Sequence, residues 1–110
     1  MAWKSYKELL VWQKAMELVE VVYQLMKGFP REEKFRLCDQ LSRAVISIPS
    51  NIAEGCGRAS NAEYARFLSI ARGSLYETMT QLQIAVDLGY ISAIGEELDS
   101  RISEVGRMLT

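Results

Sequence analysis

The residues of this chain that could do chemistry are few, and their spacing matches no common catalytic or metal-binding pattern. The sequence contains no histidine, and its two cysteines, Cys38 and Cys56, lie 18 positions apart. Without histidine, a Glu-x-x-His di-iron motif and nucleophile pairs of the Ser-His or Cys-His type cannot form. We therefore predict a non-enzymatic protein without a metal or a cofactor.

A glycine-containing segment is the nearest approach to a ligand-binding motif. The spacing of Gly55, Gly57 and Ser60 resembles that of the key residues in a phosphate-binding loop that leads into a helix. Such loops follow a β-strand and continue into Gly-Lys-Ser/Thr, and neither feature occurs in this sequence. The segment is better interpreted as a structural turn than as a phosphate site.

Basic side chains are the other candidates, because Lys and Arg contact nucleic-acid phosphates. Residues 1–75 hold 11 Lys and Arg against 8 Asp and Glu, whereas residues 76–110 hold 2 against 6. Arg58 and Arg66 flank a predicted turn, and Arg36 and Arg43 share a helix face at seven-residue spacing. These four arginines are the predicted nucleic-acid contacts. Ordinary solvated helix faces, or charge pairing between neighbouring copies, are the alternatives.

Polar residues also lie on or beside the apolar seams of two predicted helices. We predict that they form a buried network that fixes the register of the helices, with a ligand site as the alternative. The residues are Gln40, Ser47, Asn51, Glu54, Arg72, Glu77 and Gln81.

The first predicted helix is apolar along two stripes rather than one. Ser5 and Glu8 are spaced as a capping box at its start, and Pro30 prevents its continuation. A surface helix needs only one apolar stripe, so two stripes predict burial on two sides, with an interface between copies through Val11, Leu18 and Leu25. One stripe is Leu9, Trp12, Met16, Val19, Tyr23 and Met26; the other is Val11, Ala15, Leu18, Val22, Leu25 and Phe29.

The second predicted helix begins near residues 31–33 and contains Pro49. An internal proline removes one backbone hydrogen bond and costs about 3 kcal/mol, so the helix either kinks or breaks there. We favour a kink, because the apolar spacing from Cys38 to Gly55 continues unchanged across the proline.

Two further helices complete the chain. Ser60 and Glu63 form a Ser-x-x-Glu capping box, and Gly89 ends the third helix. Gly73 lies in its middle, where a close helix crossing would explain a glycine. The fourth helix is predicted to open at Ser92.

These elements predict an all-α fold. A chain of 110 residues is typical of a single domain, which we assign to residues 1–110. Long helices with short connections indicate an up-down-up-down antiparallel four-helix bundle, with helix 2 kinked at Pro49. No secretory leader is recognisable, and no apolar run approaches the roughly 20 residues of a membrane span. We expect a cytoplasmic protein with reduced thiols that does not contact membranes.

Several segments resemble the four-helix-bundle family of the 23S rRNA intervening-sequence protein. The resemblance covers nearly the whole chain, and the run Ser-Ile-Pro-Ser-Asn-Ile-Ala-Glu-Gly at 47–55 is its most specific part. The other segments are 10–18, Phe29 and Pro30, 40–44, 56–58, 64–75, Gln81 and Leu82, and 87–90.

The resemblance implies a homopentamer of four-helix bundles around a central channel. Members of this family are encoded inside insertions in bacterial 23S rRNA genes or stand alone. A related branch, the accessory protein of diversity-generating retroelements, binds nucleic acid and partners a reverse transcriptase. We therefore expect a self-associating protein that binds RNA or DNA, or alternatively an adaptor, for example for a reverse transcriptase, without direct nucleic-acid contact.

Overall fold

A computed structural model describes residues 5–110, and within that range every regular element is a helix. Residues 1–4 of the predicted 1–110 domain, including the basic Lys4, lie outside the described residues. The four long helices are α1 (Leu10–Met26), α2 (Leu37–Cys56), α3 (Asn61–Asp87) and α4 (Glu96–Met108). Short 3-10 helices at Ser5–Glu8 and Arg31–Glu33 precede α1 and α2.

The four helices pack as an antiparallel bundle, which confirms the predicted fold. Helix α2 contacts α1 and α3, and α4 contacts α1 and α3, so the order around the bundle is α1, α2, α3, α4. One apolar core runs through all four helices, as in other bundles of this topology. Its largest fully buried apolar side chains are Leu18, Val22, Leu41, Val45, Ile48, Ile52, Leu82 and Val105.

Helix α2 continues through Pro49, which is buried inside it. The alternative of a break and restart at the proline is therefore wrong. Two side chains beyond the proline hydrogen-bond to carbonyls of the preceding turn: Ser50 Oγ donates to Ile46 O and Asn51 Nδ2 donates to Ser47 O, both at 2.8 Å. These bonds add polar contacts where the proline removes a backbone donor.

Three predicted helix starts were wrong. Ser5 and Glu8 belong to a 3-10 helix, and α1 begins after Leu9, whose side chain makes no capping hydrogen bond. Residues 31–33 likewise form a 3-10 helix, and α2 begins at Leu37, whose amide donates to the Glu33 carboxylate at 3.3 Å. Helix α4 begins after Gly95 and not at Ser92.

The predicted boundaries of α3 are confirmed. The Glu63 amide donates to Ser60 Oγ at 3.1 Å, as in a capping box. Gly89 follows the helix with a positive φ of 79°, a conformation that glycine adopts without strain.

The close approach of α2 and α3 occurs at Gly55 and not at Gly73. A Cβ atom on Gly55 would lie 2.8 Å from Phe67 Cβ and 3.0 Å from Tyr64 Cδ1. Gly73 has no neighbouring atom within 4 Å of an added Cβ, so the predicted close crossing there is wrong.

Candidate nucleic-acid interface

The turn between α2 and α3 brings two of the predicted arginines together. The guanidinium carbon of Arg58 lies 4.8 Å from the centre of the Phe67 ring, and that of Arg66 lies 4.7 Å from it. Phe67 is buried, whereas both arginines are exposed. The ring therefore anchors two cations at one end of the bundle through cation–π contacts.

The local sequence explains this geometry. Gly55 has no side chain to separate the two helices, so Phe67 of α3 packs directly against α2. The Ser60 cap starts α3 only a few residues after α2 ends, which places Arg58 in the turn and Arg66 in the first turns of α3. The N-terminus of α3, which is the positive end of the helix dipole, lies in the same region.

Each arginine of this pair also forms an ion pair with a glutamate that precedes it closely in the sequence. Arg58 Nη2 donates to Glu54 Oε1 at 2.5 Å, and Arg66 Nε donates to Glu63 Oε2 at 2.9 Å. The hydrogen bond from Arg66 is the main reason why the pKa of Glu63 is lowered. Since these ion pairs are exposed to solvent, each holds its arginine weakly, and a phosphate can compete for the guanidinium.

The other two predicted arginines lie elsewhere. Arg36 immediately precedes α2, and Arg43 is in its first half, where its Nε donates to Asp39 Oδ2 at 3.1 Å. Fifteen residues of helix and turn separate Arg43 from Arg58, which corresponds to roughly 22 Å at 1.5 Å per residue. The four arginines therefore do not form one patch on a single chain.

Of the predicted network residues, Ser47 and Asn51 take part in the part-buried polar contacts between α2 and α3. Asn51 Nδ2 donates to Ser47 Oγ at 2.8 Å, and the Ser47 hydroxyl lies 2.8 Å from that of Ser74 on α3. Thr78 is fully buried one turn further along and donates to Ser74 O at 2.9 Å. Ser74 and Thr78 were missed because small hydroxyl side chains on an apolar face are also compatible with simple packing.

The remaining predicted network residues do not belong to it. Gln40, Glu54, Arg72 and Glu77 are exposed, so a buried network that includes them is wrong. Gln81 is half-buried, and its Oε1 is buried without a hydrogen-bond partner.

The predicted oligomer residues face the core of their own chain. Leu18 is fully buried within it and leaves no surface for a second copy, which corrects the prediction for that residue. Val11 and Leu25 are half-buried and pack against the same core. The other apolar stripe of α1 is only partly exposed: Met16 and Tyr23 are exposed. Its remaining members are half-buried and pack against the core, namely Leu9, Trp12, Val19 and Met26.

Two polar clusters were missed because they join residues distant in sequence. Arg101 of α4 donates to Glu17 of α1 at 2.9 Å, and Lys14 lies 3.6 Å from Glu104. At the end of the bundle opposite Arg58, Tyr90 donates to Glu33 at 2.5 Å. The first two contacts join α4 to α1. The hydrogen bond from Tyr90 joins the connection between α3 and α4 to the connection between α1 and α2.

Residues 5–110 lack two kinds of feature. They contain no group of three or more metal-ligating side chains that could hold an ion. Within the same range no helix has the length and apolar character needed to span a bilayer.

Comparison with known protein families gave a match over most of the chain. The family model described as 23S rRNA-intervening sequence protein matches residues 7–110. No curated protein matches the chain.

Proposed function

Because the chain belongs to the 23S rRNA-intervening sequence protein family, we propose that it is a non-enzymatic helical-bundle protein that assembles with copies of itself and binds RNA or DNA. The observation that carries the nucleic-acid part is the pair of guanidinium groups that Phe67 holds at the α2–α3 turn. The resemblance described above supports a homopentamer as the assembled form.

The arginine pair is suited to phosphate rather than to a base edge. Arg58 and Arg66 are exposed on either side of one aromatic ring, next to the amides of a helix N-terminus. Phosphate oxygens accept bidentate hydrogen bonds from guanidinium and bonds from such amides. These contacts carry no sequence information, so they predict binding that depends on salt and little on sequence.

Assembly would strengthen a contact that is weak in one chain. Two arginines, each already paired with a carboxylate, contribute little to affinity by themselves. Copies arranged around a common axis would present the same pair repeatedly to one polyanion, and linked weak contacts multiply in affinity. Self-association and nucleic-acid binding are therefore parts of one proposal.

The test is the salt dependence of binding to an rRNA fragment and to duplex DNA, measured by fluorescence anisotropy. The double variant Arg58→Gln/Arg66→Gln is expected to bind more weakly, with a shallower slope by about one unit for each lost phosphate contact. Arg43→Gln is the comparison variant, because it removes another of the predicted arginines, which is exposed and also paired with a carboxylate on its own helix. A smaller loss in this variant than in the double variant would assign the main contact to Arg58 and Arg66. Wild-type binding by the double variant, or absence of wild-type binding at low salt, would contradict the nucleic-acid part.

A protein-interaction adaptor, for example for a reverse transcriptase, is the second candidate. The observation that favours it is the exposure of large apolar side chains, above all Phe35 at 84%. Recovery of a protein partner from a nuclease-treated lysate, together with no binding to RNA or DNA, would favour this candidate over the first.

The proposal also includes a cytoplasmic location. A reducing compartment suits the half-buried thiol of Cys38, whose pKa is raised by desolvation and which is therefore a poor nucleophile.

A further inference from the structure

The connection between α1 and α2, residues 27–36, exposes an aromatic ring at one end of the bundle. Phe35 lies in the turn between the second 3-10 helix and α2, and its side chain is 84% exposed. The turn is fixed by hydrogen bonds, since the Glu33 carboxylate accepts from the Leu37 amide at 3.3 Å and from the Tyr90 hydroxyl. Phe35 is therefore held at the surface by a constrained turn and contributes little to the core.

Phe35 lines a depression together with a second aromatic residue. Tyr23 of α1 lines the same depression and is 41% exposed. We call this depression the Phe35 site and define it by Tyr23, Lys27, Lys34 and Phe35. Its volume of about 390 Å³ lies within the roughly 300–1,000 Å³ of small-ligand sites. Two exposed rings on one concave surface suit a flat group that can stack on them.

The Phe35 site carries positive charge. Lys27 and Lys34 are exposed, and neither forms an ion pair in the described part of the chain. Lys34 Nζ lies 5.4 Å from the centre of the Phe35 ring, a cation–π contact that places one ammonium group beside the ring. Asp39 also lines the depression, but its carboxylate is paired with Arg43 at 3.1 Å. The two lysines are therefore available to an anionic ligand.

The rest of the connection adds to this charge. Residues 27–36 hold four Lys and Arg against two Glu, and the carboxylate of one of them, Glu33, already accepts two hydrogen bonds from the protein. Arg36, a predicted nucleic-acid contact that lies apart from the α2–α3 turn, directly follows Phe35 and is exposed. The local charge thus favours an anion over a cation as the ligand.

Stackable rings beside unpaired cations match the chemistry of a single-stranded nucleic acid. An unpaired base has a free face for an aromatic ring, and its flanking phosphates attract ammonium groups. In a duplex the bases are stacked on one another and paired, so this site would offer a duplex only its cations.

We propose that the Phe35 site binds a single-stranded nucleic acid, with an unpaired base stacked on Phe35 and the flanking phosphates contacted by Lys27 and Lys34. This inference rests on the nucleic-acid binding proposed above and adds to it a contact that selects single strands over duplexes. The site lies at the end of the bundle opposite Arg58, so the two contacts can be disrupted separately.

The test compares four labelled probes by fluorescence anisotropy. They are an oligouridylate, its deoxy counterpart, the duplex that the oligouridylate forms with oligoadenylate, and an abasic strand of the same length. The abasic strand keeps the phosphates and lacks the bases, so it separates stacking from charge. Of the first two probes, the one that wild type binds more tightly identifies RNA or DNA as the ligand.

Phe35→Ala should weaken binding of the two single strands about 5- to 150-fold, the usual effect of losing one base–aromatic stack. Affinity for the duplex and for the abasic strand should stay the same, because the lysines are kept. Phe35→Tyr retains a ring and should bind as wild type does, whereas Phe35→Leu is apolar without a ring and should bind as Phe35→Ala does.

Tyr76→Ala is the matched control. Tyr76 on α3 is 53% exposed, and the guanidinium carbon of Arg72 lies 5.6 Å from the centre of its ring, so this residue also combines an exposed ring with a cation. It lies outside the Phe35 site, and its substitution should leave oligouridylate binding unchanged. Circular dichroism and light scattering establish that each variant keeps the fold and the mass of wild type.

Four outcomes would overturn the inference. The first two are wild-type affinity of Phe35→Ala for both single strands, and an equal loss of affinity for the abasic strand; either leaves the contact at Arg58 and Arg66 standing. The third is a lower mass of Phe35→Ala, which would place the ring between copies. The fourth is binding of wild type to phosphatidylserine vesicles that Phe35→Ala abolishes without a change in affinity for either single strand. Absence of wild-type binding to every probe would overturn the inference together with the proposed nucleic-acid binding.

Discussion

Gly55 of α2 and Phe67 of α3 approach each other so closely that a Cβ atom on residue 55 would lie 2.8 Å from Phe67 Cβ. The same contact positions the ring on which Arg58 and Arg66 lie. The packing of the two central helices and the geometry of the candidate nucleic-acid interface therefore depend on one glycine.

Replacing Gly55 with alanine should destabilise the protein. The added methyl would meet both Phe67 Cβ and, at 3.3 Å, the backbone oxygen of Tyr64, which cannot move without displacing α3. Overpacking of this kind costs about 1–3 kcal/mol, measurable by urea unfolding.

Gly73→Ala is the matched control for that experiment. Gly73 is also within a helix, but an added Cβ has no neighbour within 4 Å. We expect this variant to be more stable than wild type by up to about 1 kcal/mol, because alanine is the better helix former. Equal effects of the two substitutions would contradict the close contact at Gly55.

Ser47→Ala should destabilise the contact between α2 and α3. It removes the hydroxyl that lies 2.8 Å from Ser74 Oγ and that accepts from Asn51. The expected cost is about 1–2 kcal/mol, and Ser47→Ala/Ser74→Ala should cost less than the sum of the two single changes. Ser50→Ala, an exposed serine on the same helix that bonds to Ile46 O, should change the free energy of unfolding by less than about 0.5 kcal/mol. Strict additivity would show that the two hydroxyls do not interact.

Tyr90→Phe should change how stability depends on pH. The hydrogen bond from Tyr90, and then that from the Leu37 amide, lower the pKa of Glu33 below its ordinary value of 4.5. A carboxylate with a lowered pKa stabilises the fold above its ordinary pKa, and that contribution is lost as the pH falls through the lowered value.

Wild type should accordingly be more stable than Tyr90→Phe at neutral pH, with a difference that shrinks on acidification. The pKa of Glu33, followed by carbon NMR, should rise in the variant. Tyr23→Phe removes an exposed hydroxyl on α1 and is the control. A Glu33 pKa that is the same in wild type and in Tyr90→Phe would contradict this account.

The sequence was sufficient for the number of helices, their order and the limits of α3. Ser60 with Glu63 and Gly89 mark those limits because capping and a positive φ are local properties of the chain. The start of α2 was misplaced because Glu33 caps it from within a 3-10 helix, and a sequence motif does not distinguish that arrangement from a first helical turn.

The orientation of α1 could not be predicted from the sequence. Its two apolar stripes have the same spacing, so periodicity alone does not reveal that Leu18 faces the core while Met16 faces solvent. The positions of Arg58 and Arg66 on either side of the turn suggested that the two residues lie close together. Their common contact with Phe67 depends on the tight packing at Gly55, which spacing does not show.

We propose that this bundle acts as an assembly of identical chains, and the mass of the wild-type protein in solution tests that proposal most directly. Light scattering at micromolar concentration should give a multiple of the 12.5 kDa chain mass, with five copies as the expected number. A mass of one chain across the concentration range would contradict the claim.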